Sequence, residues 1–247
     1  IVMQQHTAVN RLGDEIAGMV AITALSEVEA VYRRSRSNKW QNYNQVEELA
    51  IATIDELKTT ENLQANSISV LQQLSELISS EDANDKSTVA LALSNAKEDI
   101  SAFSGIALDG EPSGFYLAEL YINRVAQTSE YYSLVATLAQ GILQQQAFTP
   151  RSYTRLVALN KRLAEQQLLL EKTANRLNTT IAETELEAIT ATIEESRFSV
   201  SRLVSSIEQD IIQPDQFSIS LTVFNAQSNR VFEALKRLEA NLGQALS

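Results

Sequence analysis

The sequence predicts an all-α protein, elongated, with two stacked antiparallel helical bundles built from about seven long helices. Three observations lead there. Apolar residues recur at steps of three and four along nearly the whole chain, most regularly at Phe217, Leu221, Phe224, Ser228, Val231, Leu235, Leu238, Leu242 and Ala245. A stripe of that kind has to be covered by neighbouring helices. Only 7 Gly and 3 Pro occur in 247 residues, which leaves few turn formers and excludes a protein of many short strands. Finally, helices as long as these stripes reach roughly 40 to 60 Å at ~1.5 Å per residue, more than a compact globule needs.

The first helix is expected from Val2 to Arg36, carried by Val9, Leu12, Ile16, Met19, Ile22, Leu25 and Tyr32, with Ser37 and Asn38 as its stop. A second runs from Lys39 to Ser80 on Tyr43, Val46, Leu49, Ile54 and Leu57, then on Ile68, Leu71, Leu74 and Ile78. Its stripe changes phase at the polar stretch Thr59 to Asn62, where a kink or break is expected. An acidic turn, Glu81, Asp82, Asn84 and Asp85, precedes a third helix from Ser87 to Leu108. Asp109-Gly110-Glu111-Pro112-Ser113-Gly114 is the strongest loop signal and the expected midpoint, at 109–114, of a single module spanning 1–247. The fourth helix is expected from Phe115 to Gln146. Thr149 as cap and Pro150 at the first helical position start a fifth, which continues to Leu177. Glu183 to Ile212 forms the sixth, and Gln213-Pro214-Asp215 turns the chain into the seventh.

A net charge of -11, with 31 acidic against 20 basic side chains, argues against nucleic acid as a partner. The local exception, Arg33, Arg34, Arg36 and Lys39, reads as a solvated cluster at a helix end. Without cysteine there is no disulfide, thiol chemistry or thiolate metal site. His6 stands alone, paired acids such as Glu194-Glu195 point to different sides of a helix, and no phosphate loop or zinc signature occurs. Neither an enzyme nor a cofactor or metal site is expected. No stretch approaches the ~20 apolar residues of a membrane span. The chain opens at Ile1 and closes at Ser247 with its helical pattern still running, so it is expected to be a fragment of a longer protein.

Polar residues inside apolar seams mark the candidate site, because a buried polar group without a partner costs on the order of 1 to 3 kcal/mol. The fourth helix steps through Leu117, Tyr121, Arg124, Thr128, Tyr131, Val135, Leu138 and Ile142. The fifth steps through Leu156, Leu159, Leu163, Gln166, Leu170, Thr173 and Leu177, with Gln167 alongside. Arg124, Thr128, Gln166 and Gln167 could together line a pocket for a small anion or carboxylate, with the guanidinium as its charge partner. The competing reading makes them register determinants or ion-pair partners of Glu119, Glu130 or Glu165, and makes Tyr116, Tyr121, Tyr131 and Tyr132 packing residues.

The run Tyr131-Tyr132-Ser133-Leu134-Val135-Ala136-Thr137-Leu138, followed by Leu156 to Gln167, resembles the nitrate- and nitrite-sensing domain of bacterial receptors. Gln213-Pro214-Asp215-Gln216-Phe217 and Asn229 to Glu239 are similar to that family's closing helix. The resemblance implies a periplasmic, two-bundle ectodomain between two membrane spans of a chemoreceptor or sensor kinase, dimeric in the full-length receptor, with an anion bound between helices. Where that family has a glutamate-arginine pair this chain reads Glu165-Gln166, so organic acids, or a docked periplasmic binding protein, stand beside nitrate as what is sensed. The function expected is thus ligand sensing with transmission by displacement of a terminal helix. The alternative is a helical interaction or scaffold module, with no small ligand.

Overall fold

The computed structural model describes residues 2–37, 43–80, 86–106, 112–179 and 183–246, with side chains described within 11–35, 43–80, 88–106, 114–179 and 187–246. Among these residues all regular structure is helical, no strand occurs, and no helix is long and apolar enough to cross a membrane. The acidic turn at 81–85, the Asp109 to Glu111 part of the loop, and the side chains of His6, Val9, Arg36 and Lys39 lie outside the described residues. The chain divides into two compact units, 1–123 with 245–247, and 124–244. The division falls between Asn123 and Arg124, within a helical run and downstream of the 109–114 loop.

Unit 1 is a ring of four helices: α1 (Val2–Ser37), α2 (Tyr43–Leu57), α3 (Ala65–Ser79) and α4 (Lys86–Ser104). α1 packs along α2 and α4, and α3 closes the ring against α2 and α4. The expected second helix is two, broken between Leu57 and Ala65 where the stripe changes phase, with Asn62 at a φ of 65° in the turn. Gln64 Nε2 donates to Asp14 Oδ2 over 3.0 Å, tying that turn to α1. α4 stops at Gly105, whose φ of 77° is the left-handed conformation that glycine adopts without a Cβ clash. α5 (Pro112–Ala118) then leads into a π-helical turn, π1 (Glu119–Val125).

The buried face of α1 differs from the expected one. Leu12 and Ile16, placed in the core by the sequence reading, are each 57% exposed. Ala17, Ala21, Ile22, Leu25, Ser26, Glu29, Tyr32 and Arg33 fill the interior instead. The cause is Gly18: a Cβ there would lie well inside van der Waals contact of Ser104, so α1 meets α4 backbone-close on its small-residue side and the larger aliphatics turn outward. Arg33 is likewise not solvated, being 6% exposed, whereas its neighbour Arg34 is exposed.

Unit 2 is likewise a ring of four helices: α6 (Ala126–Gln145), α7 (Pro150–Asn178), α8 (Glu183–Ser206) and, as far as Gln244, α9 (Leu221–Leu246). A second π-helical turn, π2 (Ile207–Ile212), extends α8. α7 lies between α6 and α8. α9 closes the ring by bonding to α6 through Tyr132–Ser228 and Gln140–Asn225, and to α8 through Glu195–Arg237 and Thr192–Asn241. Thr149 caps α7 in a reciprocal box with Ser152, followed by Pro150 at the first helical position. Val135, Leu143, Leu156, Leu163, Leu203, Phe224 and Val231 form the centre of its core. The expected seventh helix starts four residues later than its stripe. Phe217 precedes α9 in a non-helical segment that Ser218 fastens to the Asp210 carbonyl, and its ring packs edge-on against Phe148 at 5.2 Å.

Candidate functional site

The four residues singled out from the sequence belong to unit 2. Arg124 is the last residue but one of π1 and is half-buried. Thr128, one turn further, is fully buried and donates its hydroxyl to the Arg124 carbonyl over 2.8 Å. On α7 the two glutamines differ: Gln166 is half-buried, while Gln167 is 4% exposed and takes the seam position expected for Gln166. Thr128 and Gln167 lie the same number of residues from the loop joining α6 to α7, so the antiparallel pairing sets them at one level of the bundle.

Gln167 is the residue at that level whose polarity is least accounted for. Neither its Nε2 nor its Oε1 hydrogen-bonds to a described residue, although both atoms are buried. Gln166 Oε1, Asn160 Oδ1 and Gln227 Oε1 are also buried without a hydrogen bond from the protein. Other buried polar groups of unit 2 are satisfied. Tyr132 Oη donates to the Ser228 carbonyl at 2.8 Å and lies 3.0 Å from its Oγ, and Asn160 Nδ2 donates to the Val204 carbonyl at 3.1 Å. Unit 2 therefore carries polar side chains inside an apolar core, among them amide donors and acceptors with unused capacity.

Burial pushes the Tyr132 hydroxyl up to about 12, the Ser228 hydrogen bond opposes the shift, and the Glu233 charge adds to it. The unfolded phenol titrates near 10, so the native state retains a proton that the unfolded chain loses. Stability linked to Tyr132 is thus whole below pH 10 and is lost as the pH rises to about 12. Tyr132→Phe is expected to flatten that part of the decline in urea midpoints. At neutral pH it should cost about 1 kcal/mol by leaving the Ser228 groups without their partner.

A second polar group, which the sequence reading missed, lies in unit 1. Glu29 on α1 and Lys97 on α4 are both fully buried, with Lys97 Nζ 2.5 Å from Glu29 Oε2 and 3.1 Å from Ser26 Oγ. Arg33, one turn along α1, bonds the other Glu29 oxygen. One carboxylate thus holds two cations in a dry interior. Beside them the Tyr32 ring meets Tyr43 edge-on at 5.9 Å, and burial raises both hydroxyls. The signal was present in the sequence: Glu29 and Arg33 interrupt the α1 seam and Lys97 that of α4, as Gln167 interrupts α7.

Unit 1 also bears a groove along α1 of about 510 Å³. Met19 and Ile106 form its floor, and the outward-turned Leu12, Ile16 and Val20 its apolar wall. Among the described residues, Thr23, Glu15 and Glu27 supply its polar side chains, and no lysine or arginine lines it. Thr23 Oγ1 accepts a 3.4 Å contact from Tyr121 Oη on π1.

No protein-family model matches the chain, and no match occurs among curated proteins or solved structures.

Proposed function

We propose that this chain is a sensor module of a bacterial transmembrane signalling receptor, lying on the extracytoplasmic side and dimeric in the whole receptor. It takes a small anion or carboxylate between the helices of unit 2. The observation that carries this reading is the Gln167 carboxamide, buried level with Thr128 and hydrogen-bonded to none of the described residues. Such a group is costly in an apolar core and is kept where a ligand completes its hydrogen bonds. Arg124, one turn from Thr128, supplies the positive charge. The resemblance to nitrate- and nitrite-sensing domains supports the same reading. A ligand wedged against α6 and α7 need favour one helix packing over another by only ~1 to 3 kcal/mol to bias an attached output.

Thermal-shift and calorimetric titrations with nitrate, nitrite, acetate, malate and aspartate test this. At 100 times its dissociation constant a bound anion should stabilise the protein by about 2.7 kcal/mol. Arg124→Ala should abolish the shift. Gln167→Leu should also abolish it while raising the stability of the ligand-free protein by about 1 kcal/mol, since an unpaired amide gives way to a hydrocarbon of similar size. No shift with any of the five overturns the reading and leaves the scaffold alternative. A shift that survives Arg124→Ala overturns the site.

A further inference from the structure

We infer that the α1 groove of unit 1 is a second binding site, with charge preference opposite to that of unit 2: it takes an organic cation with an apolar tail. The groove is not a remnant of imperfect packing. Its three wall residues stand at i, i+4 and i+8 of one helix and are among the most exposed large aliphatics of the unit, with Leu12 and Ile16 at 57% and Val20 at 49%. They face outward because Gly18 commits the other side of α1 to α4. The same close approach brings Ile106 beneath the groove, 3.2 Å from where a Gly18 Cβ would stand. A cavity of about 510 Å³ lies within the range that holds a small organic ligand, and its mainly apolar lining selects a hydrocarbon or aromatic body.

The polar side chains decide the head group. Among the described residues, the ionisable groups that line the groove are both carboxylates. Glu15 is bonded to Arg11 over 2.8 Å, which spends its charge. Glu27, at the opposite end of the wall, is exposed and makes no ion pair with a described residue. Thr23, one turn before it, is oriented by Tyr121, a residue 2% exposed on the widened turn π1. An ammonium head seated at Glu27 and Thr23 leaves its tail along Val20, Ile16 and Leu12, with the Met19 thioether as an adaptable floor. A carboxylate head in the same place would face Glu27 across a surface of the same sign. The chain's net charge of -11 adds to the discrimination against anions.

Isothermal titration of the whole chain with octyltrimethylammonium, and separately with octanoate, tests the inference, both kept below their micellar concentrations. The cation should bind with one-to-one stoichiometry and at least about tenfold more tightly than octanoate, the chains being of equal length. Glu27→Gln should weaken the cation about threefold, as an exposed ion pair is worth a fraction of a factor of ten. Ile16→Ser should weaken it about tenfold through lost apolar contact. Both positions are exposed, so the variants keep their fold, which far-UV circular dichroism verifies. Glu187→Gln, an exposed acid of unit 2, should leave binding unchanged. Equal affinity for octanoate, or equal losses from Glu27→Gln and Glu187→Gln, overturns the inference. None of these outcomes bears on Arg124 or Gln167, so the two sites stand or fall separately.

Discussion

Replacing Glu29 with leucine is expected to destabilise unit 1 by about 3–5 kcal/mol, the cost of leaving buried charge without its counter-ion. Lys97 and Arg33 converge on this single carboxylate, and the three side chains are 0%, 7% and 0% exposed for Lys97, Arg33 and Glu29 respectively. The leucine fits the site by volume, so the loss is electrostatic and not a matter of packing. Lys97→Met should cost less, because Arg33 still neutralises Glu29. The triple variant Glu29→Leu, Lys97→Met, Arg33→Met should recover most of the stability, since hydrophobic replacement of a whole buried charge cluster is often neutral or favourable. Urea unfolding followed by circular dichroism separates these cases, provided the transitions of the two units are fitted individually. If Glu29→Leu unfolds with the wild-type midpoint, the cluster is hydrated in solution and the electrostatic account is wrong.

Gly18→Ala should lower stability by about 2 kcal/mol, against the usual gain of up to ~1 kcal/mol for removing a glycine from a helix interior. The sign reverses because the new methyl meets the Ser104 Cβ and Oγ. Ser104 has no room to yield: it is 2% exposed and its hydroxyl donates to the Ile100 carbonyl at 2.6 Å. Relief requires α1 and α4 to separate, which also stretches the Glu29–Lys97 pair. The double variant Gly18→Ala, Ser104→Gly should therefore recover most of the loss. Gly141, whose Cβ would meet nothing within 4 Å, is the control at which alanine should stabilise.

These two sites mark where the sequence was legible and where it was not. α9 shows the signal at its clearest, since Phe224, Ser228, Val231, Leu235, Leu238 and Leu242 are all buried as their spacing requires. On α1 the same rule erred at Leu12 and Ile16, because apolar periodicity weighs leucine and isoleucine heavily and glycine and alanine hardly at all. A close helix contact through Gly18, Ala17 and Ala21 leaves almost no hydrophobic trace. Along α5 to α6 the seam slipped for a different reason. The wide turn π1 inserts an extra residue into the helical phase, so Val125, Ala126, Ser129 and Tyr132 face inward while Arg124 and Tyr131 are only half-buried. On α7 Leu156, Leu163, Leu170, Thr173 and Leu177 are buried as their spacing requires, and the positions between them move by one, from Leu159 to Asn160 and from Gln166 to Gln167. Glu29 and Lys97 are illegible as a pair for a third reason: charged residues on long helices are mostly solvated, and only the fold sets these two, 68 positions apart, against each other.

Each ring is closed by pairing its first helix with its fourth, α1 with α4 and α6 with α9. A chain leaving the ribosome therefore carries α1 with Glu29 and Arg33 still hydrated until Lys97, 68 positions after Glu29, has emerged to meet them. The bond between helices that sets the register of unit 1 is thus a late event in synthesis, and the inward stripe of Ile22, Leu25 and Val28, buried in the finished unit, is in water throughout that interval. Nascent chains halted before residue 97 should be held by chaperones that grip exposed aliphatic segments, and released once α4 has docked.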